Sequence, residues 1–92
     1  MRRISLKLYV TGNTPRSKAA IARLQAVCDE RFKDRHVLTV VDVLRQPHVA
    51  QEYGILATPT LIKEMPPPTR RVIGDLSDTE KLLRGMGLSP HG

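Results

Sequence analysis

Between Ile4 and Val43 the hydrophobic period changes twice, and that switch restricts the fold more than any other feature of the chain. Ile4, Leu6, Leu8 and Val10 alternate with Ser5, Lys7 and Tyr9, which predicts a period-two strand with one apolar face. Gly12-Asn13-Thr14-Pro15 ends it, with Thr14 as N-cap and Pro15 in the first helical position. From there to about Lys33 the spacing is helical. Ile21, Leu24, Cys28 and Phe32 share a stripe flanked by Ala20 and Val27, while Arg16, Arg23, Glu30 and Arg31 can stay in water. Val37 to Val43 is β-branched and almost uniformly apolar, the composition of a strand covered on both faces. Strand, long helix, strand is a βαβ unit, expected to cross over right-handed.

The second half is more broken. A short helix is expected from Pro47 to Tyr53, with Gly54 as its stop. Ile55 to Ile62 reads as a third strand interrupted at Thr58-Pro59, and Pro66-Pro67-Pro68 forces an extended loop. Arg70 to Ile73 reads as a short strand. Ser77 with Glu80 three residues later matches a capping box, so a last helix runs to about Arg84 and ends at Gly85 and Gly87. The order βαβ, short α, ββα resembles the thioredoxin-like arrangement. A proline, usually cis, precedes the third strand of that fold, and Pro59 stands there.

A chain of 92 residues fits one domain. At this size folding buries only about 60–65% of the surface that the unfolded chain exposes. No apolar run reaches bilayer length, and Met1-Arg2-Arg3 is not followed by a signal-peptide core, so a cytoplasmic location and no membrane association are expected. Cys28 is the only cysteine, which rules out an intramolecular disulfide and a thiolate cluster within one chain. His36, His48 and His91 are far apart in sequence, so no metal site is expected.

Thioredoxin-like enzymes work through a cysteine at the first turn of the first helix, where the helix terminus stabilises a thiolate. Here that turn is Gly12-Asn13-Thr14-Pro15-Arg16-Ser17, with a hydroxyl as its best nucleophile. Cys28 sits mid-helix on the apolar stripe, where it acts as a small hydrophobe. Asp42 reads as a strand-end cap rather than a general base. The Gly12 turn has neither phosphate-loop nor dinucleotide spacing, so no cofactor is expected. Arg70 and Arg71 can bind carboxylate or phosphate, or they can simply protect an exposed strand edge.

The stretches LKLYVTGNTP (Leu6 to Pro15), VVDVL (Val40 to Leu44), ILATPTL (Ile55 to Leu61), PPPTRRVIGDLS (Pro66 to Ser77) and EKLLRG ending at Gly85 resemble the KaiB family across nearly the whole chain. The resemblance implies a non-catalytic regulator that binds the KaiC ring, a hexameric autokinase, and alters its phosphorylation cycle. It further implies capture of KaiA where that activator exists, and competition with clock histidine kinases for KaiC. It implies two folds as well: a resting form, often a homotetramer, and a rare thioredoxin-like monomer that binds KaiC. On this basis residues 1–46 form a shared half, 47–88 a half that refolds, and 89–92 a short tail. Gly54, Ile55, Leu56, Arg70 and Arg71 are the expected partner-binding residues. Pro59, Pro66, Pro67, Pro68, Gly85 and Gly87 are the expected fold-switch positions. Gly54 stands where many members carry lysine, and Gly87 where an acidic residue is common.

Two other classes compete. The net charge of +6 suits a nucleic-acid-binding module, but stacking aromatics are few, and Tyr9 and Tyr53 are distant in sequence. A thioredoxin-like redox protein lacks its cysteine pair.

Overall fold

The computed structural model describes residues 3–74 and 76–88. The expected tail at 89–92, His91, Asp75 of the quoted motif, and Met1 and Arg2 lie outside the described residues.

The elements are β1 (Ile4–Val10), α1 (Pro15–Arg31), a 3-10 turn (Lys33–Arg35), β2 (His36–Asp42), α2 (Pro47–Glu52), β3 (Thr60–Met65), β4 (Arg70–Ile73) and α3 (Thr79–Gly85). This is the expected βαβ-α-ββα order. The sheet runs β2-β1-β3-β4, with β1 parallel to β2 and the other pairs antiparallel. α1 begins as its sequence dictates: Thr14 is extended, its side chain accepts the Ser17 N–H, and Pro15 opens the helix where no N–H is needed.

The sheet divides the core unequally. Ile4, Leu6, Leu8 and Val10 of β1 join Leu61, Leu24, Cys28, Leu82 and Leu83 in the main cluster, which α1 and α3 supply. On the other face the buried hydrophobic cluster is Tyr9, Val41 and Ile62, with Val43, Val49 and Ile55 packed against it. α2 has six residues and buries none of them, so much of this face is open.

Several expectations need correction. β2 is not covered on both faces: it is an edge strand, with Val37 43% and Val40 41% exposed. Its β-branched run satisfies strand propensity without cover, because propensity does not encode a strand's place in the sheet. The third strand starts at Thr60 rather than Ile55, since a proline at 59 has no N–H to give a ladder. It then continues through Lys63 and Glu64 to Met65. The last helix is capped by Asp78, whose carboxylate accepts the Lys81 N–H at 3.2 Å, and not by Ser77. Aspartate outcompetes serine there because its charge also favours the helix start. Thr58–Pro59 is cis as expected, and Met65–Pro66 and Pro67–Pro68 are cis as well.

Candidate functional site

The end of the molecule where a redox enzyme would act is built for rigidity. Ser17 is buried; its hydroxyl donates to the Thr11 carbonyl at 3.1 Å and accepts from the Thr14 hydroxyl at 3.0 Å. Both hydroxyls are thus committed to the loop and cap. Asp42 Oδ1 accepts the Gly12 and Leu44 N–H groups, each at 2.9 Å. The Gly12 N–H first, and then that of Leu44, hold this carboxyl below the usual carboxylate range. Asp42, the last residue of β2, is therefore the expected strand-end cap. Gly12 has φ +63°, and a Cβ there would stand 3.1 Å from Leu44 Cδ1. The Thr11 and Thr58 hydroxyls bond at 2.6 Å, tying the exit of β1 to the loop before Pro59. Cys28 is fully buried, and burial, reinforced by Asp29, pushes its thiol up to about 11. It packs in the core as the sequence suggests.

The expected partner-binding residues fall into two groups. Arg71 reaches back across the open face to the end of α2. Its Nη1 donates to the Gly54 carbonyl at 3.0 Å and its Nη2 to the Tyr53 carbonyl at 2.7 Å. One planar fork thus satisfies two carbonyls that the helix leaves unpaired at its C-terminus. Gly54, at φ +63°, lets the chain leave α2, and the Ile55 N–H closes on the Ala50 carbonyl at 2.8 Å. Ile55 then packs inward against the Tyr9 cluster. Leu56 points away from everything and is 97% exposed. Gly54, Ile55, Leu56 and Arg71 therefore form one neighbourhood.

Arg70 does not belong to it. Successive strand residues point to opposite faces, so Arg70 lies on the α3 side. A Cβ at Gly87 would be 3.2 Å from its Nε. On that side lies Lys63, 2% exposed, donating to the Pro66 carbonyl at 2.6 Å. Burial first, and then the Arg70 charge, lower the Lys63 pKa.

Sequence reasoning missed the polar group on the open face. Lys7 Nζ lies 3.4 Å from Glu64 Oε2 and 5.6 Å from the Tyr53 ring centre. Burial pulls the Lys7 ammonium down, but Glu64 and the tyrosines outweigh it, so its pKa rises. Tyr9 and Tyr53, distant in sequence, bring their ring centres to 6.5 Å. Tyr9 is only 1% exposed, so it offers no stacking platform to a base. The alternation of β1 already placed Lys7 and Tyr9 on one face; nothing local placed Tyr53 or Glu64 beside them.

A family model described as the KaiB domain matches residues 7–88. The chain is 50% identical to the circadian clock protein KaiB3 of a Synechocystis strain, over all of this chain and 90% of that protein. It is 57% identical to a circadian clock oscillator protein KaiB of Prochlorococcus marinus, over 90% of this chain and 79% of that one. Among solved structures it resembles the N-terminal domain of Synechococcus elongatus SasA, with TM-score 0.74 and 24% identity over 91% of this chain and 86% of that one. It resembles the Drosophila melanogaster thioredoxin Deadhead with TM-score 0.71 and 14% identity, over 92% and 79% of the two chains. The last two likenesses concern the fold.

Proposed function

Because this chain belongs to the KaiB family of circadian clock proteins, we propose that it is a non-catalytic regulator that docks on the KaiC ATPase–autokinase ring and shifts its phosphorylation cycle. The observation that carries this reading is the contrast between the two sites. The helix start that would hold a redox nucleophile is filled by bonded hydroxyls, while the neighbouring Gly54–Leu56 turn is clamped by Arg71 and presents Leu56 to solvent. An exposed apolar side chain on a fixed turn is what a partner's pocket can take as an anchor. Arg71, committed to α2, shapes that turn rather than meeting a partner's carboxylates. Partner charges fall instead to arginines outside it.

The test is size exclusion of the chain with KaiC and ATP at two salt concentrations. Co-elution that Leu56→Asp reduces tenfold or more supports the docking turn; wild-type affinity in that variant removes it. The same surface would serve KaiC alone, with KaiA or a clock histidine kinase competing for or joining the complex. A nucleic-acid module has only the net charge in its favour.

The thioredoxin-like form described here is the docking form, and a resting homo-oligomer with a different arrangement of residues 47–88 is its reservoir. Pro59, Pro66, Pro67 and Pro68 restrict what that half can adopt, Gly85 weakens its last helix and Gly87 follows the end of it. Gly85 also packs so closely on β4 that a Cβ would come 2.8 Å from Val72 Cγ2, and Gly87 has φ +75°. If about 1% of molecules are competent, affinity falls about a hundredfold, or about 2.7 kcal/mol. Stopped-flow mixing with excess KaiC should then show a rate that saturates at a slow plateau. A rate rising linearly to far above one per second contradicts it.

A further inference from the structure

A groove of about 270 Å³ runs between the solvent side of α1 and the wall made by Pro59, Leu76 and Ser77. It is separate from the Arg71 turn. Arg16 and Arg23 stand along its α1 side with Ala19 between them, and none of its described lining residues is acidic. The two arginines are seven positions apart along the helix, so their backbones are about 10 Å apart on the same face. Neither guanidinium makes an ion pair or hydrogen bond with a described residue. Among the described residues, the acidic side chains Asp29 and Asp78 are engaged elsewhere: Asp29 faces His36 and Gln25, and Asp78 caps α3. The floor is apolar, with Leu76 and Pro59 both buried beneath it. Its volume is just below the roughly 300–1,000 Å³ of pockets that enclose a drug-sized ligand, which suits one or two side chains of a passing chain.

We propose that this groove receives an acidic segment of a protein partner, Arg16 and Arg23 each taking one carboxylate while Ala19, Pro59 and Leu76 cover an apolar side chain between them. Charge and geometry both select that occupant. Two guanidiniums without a partner among the described residues favour carboxylates through forked bonds. Two acidic residues three apart in a polyproline II chain share one face about 9 Å apart, close to the arginine spacing. An apolar floor between two charges favours a peptide, whose side chains alternate in character, over a polyphosphate backbone, whose charges repeat without apolar groups between them.

The probe is a fluorescein-labelled peptide, Ser-Glu-Ala-Leu-Glu-Ser, with a glutamine-for-glutamate counterpart and a single-stranded oligonucleotide as controls. Binding is followed by anisotropy and by amide chemical shifts of the isotopically labelled full chain. The acidic peptide should shift the amides of Ala19, Arg23, Gly74 and Ser77, and the glutamine peptide should bind at least tenfold more weakly, or 1.4 kcal/mol. The double variant Arg16→Glu/Arg23→Glu should lose peptide binding with its circular dichroism spectrum intact. Ala19→Trp, which fills the groove without changing charge, should lose it too. Equal binding of the two peptides, retention in both variants, or an oligonucleotide that shifts the same amides as strongly overturns the proposal. Failure here is separable from failure of KaiC docking. Peptide binding without ring binding overturns the docking reading alone, and ring binding without peptide binding overturns the groove alone.

Discussion

Replacing Arg71 and Arg70 one at a time tests whether neighbours in sequence have unlike work. Arg71→Ala removes two guanidinium–carbonyl bonds, at 3.0 and 2.7 Å, that hold the end of α2 to β4. Hydrogen bonds from charged groups contribute about 1.5–3 kcal/mol where they are sheltered. These lie at the surface and hold a long side chain, so solvent screening and lost rotamer freedom reduce each to about 0.5 kcal/mol. The expected loss is therefore about 1 kcal/mol. In a domain of 92 residues that lowers Tm by about 4–8 °C. Arg71→Lys keeps the charge but not the fork, and should recover less than half of the loss. Arg70→Ala should be neutral or slightly stabilising, because Arg70 adds like charge beside the buried Lys63. Urea titration followed by circular dichroism supplies the comparison, with the slope m checked for constancy. Equal destabilisation by Arg70→Ala and Arg71→Ala, or full recovery in Arg71→Lys, would refute the assignment of a bidentate clamp to Arg71 alone.

Four further outcomes follow from the core and the first loop. Leu24→Ala, at a fully buried position in the main cluster, should cost about 3–5 kcal/mol in urea unfolding, a large share of a small domain's stability. Gly12→Ala should cost about 1–2 kcal/mol, since it places a side chain at φ +63° and drives a methyl towards Leu44; wild-type stability would mean the loop relaxes freely. Cys28 should resist alkylation in the native protein at pH 8 and react once urea is added. Its thiol ionises near 9.0 when unfolded and near 11 when folded, so its contribution is whole below pH 9 and is lost as pH rises towards 11. The pure protein should show no insulin reduction or nucleotide hydrolysis; turnover that disappears in Cys28→Ser would overturn that.

What could be read from the chain was local. β1 and α1 were legible because alternation, a Thr14 cap and Pro15 are decided within a few residues. Cys28 was legible because its place on the stripe fixes its surroundings. The status of β2 was not, since being at an edge depends on which strands fail to join it. That Arg70 and Arg71 point to opposite faces of the sheet follows from strand alternation alone. What Arg71 holds, 17 and 18 residues upstream, is set by packing across the open face and leaves no trace in its own neighbourhood. The groove was half visible: Arg16 and Arg23 had the spacing of one helix face, but the wall opposite comes from Pro59 and Leu76.

The two margins of the sheet set different rules for addition of another strand. β4 is four residues long, lies between a triple proline and Gly74, and carries two arginines, all of which repel a newcomer. β2 is seven residues long and has no proline or lysine among them. Any strand pairing between copies is thereby confined to β2 against β2. Identical edges meeting antiparallel are related by a two-fold axis, so such a union uses up both accessible margins at once and closes on itself. The sheet can double to eight strands, from four in each copy, but it cannot propagate into a fibre.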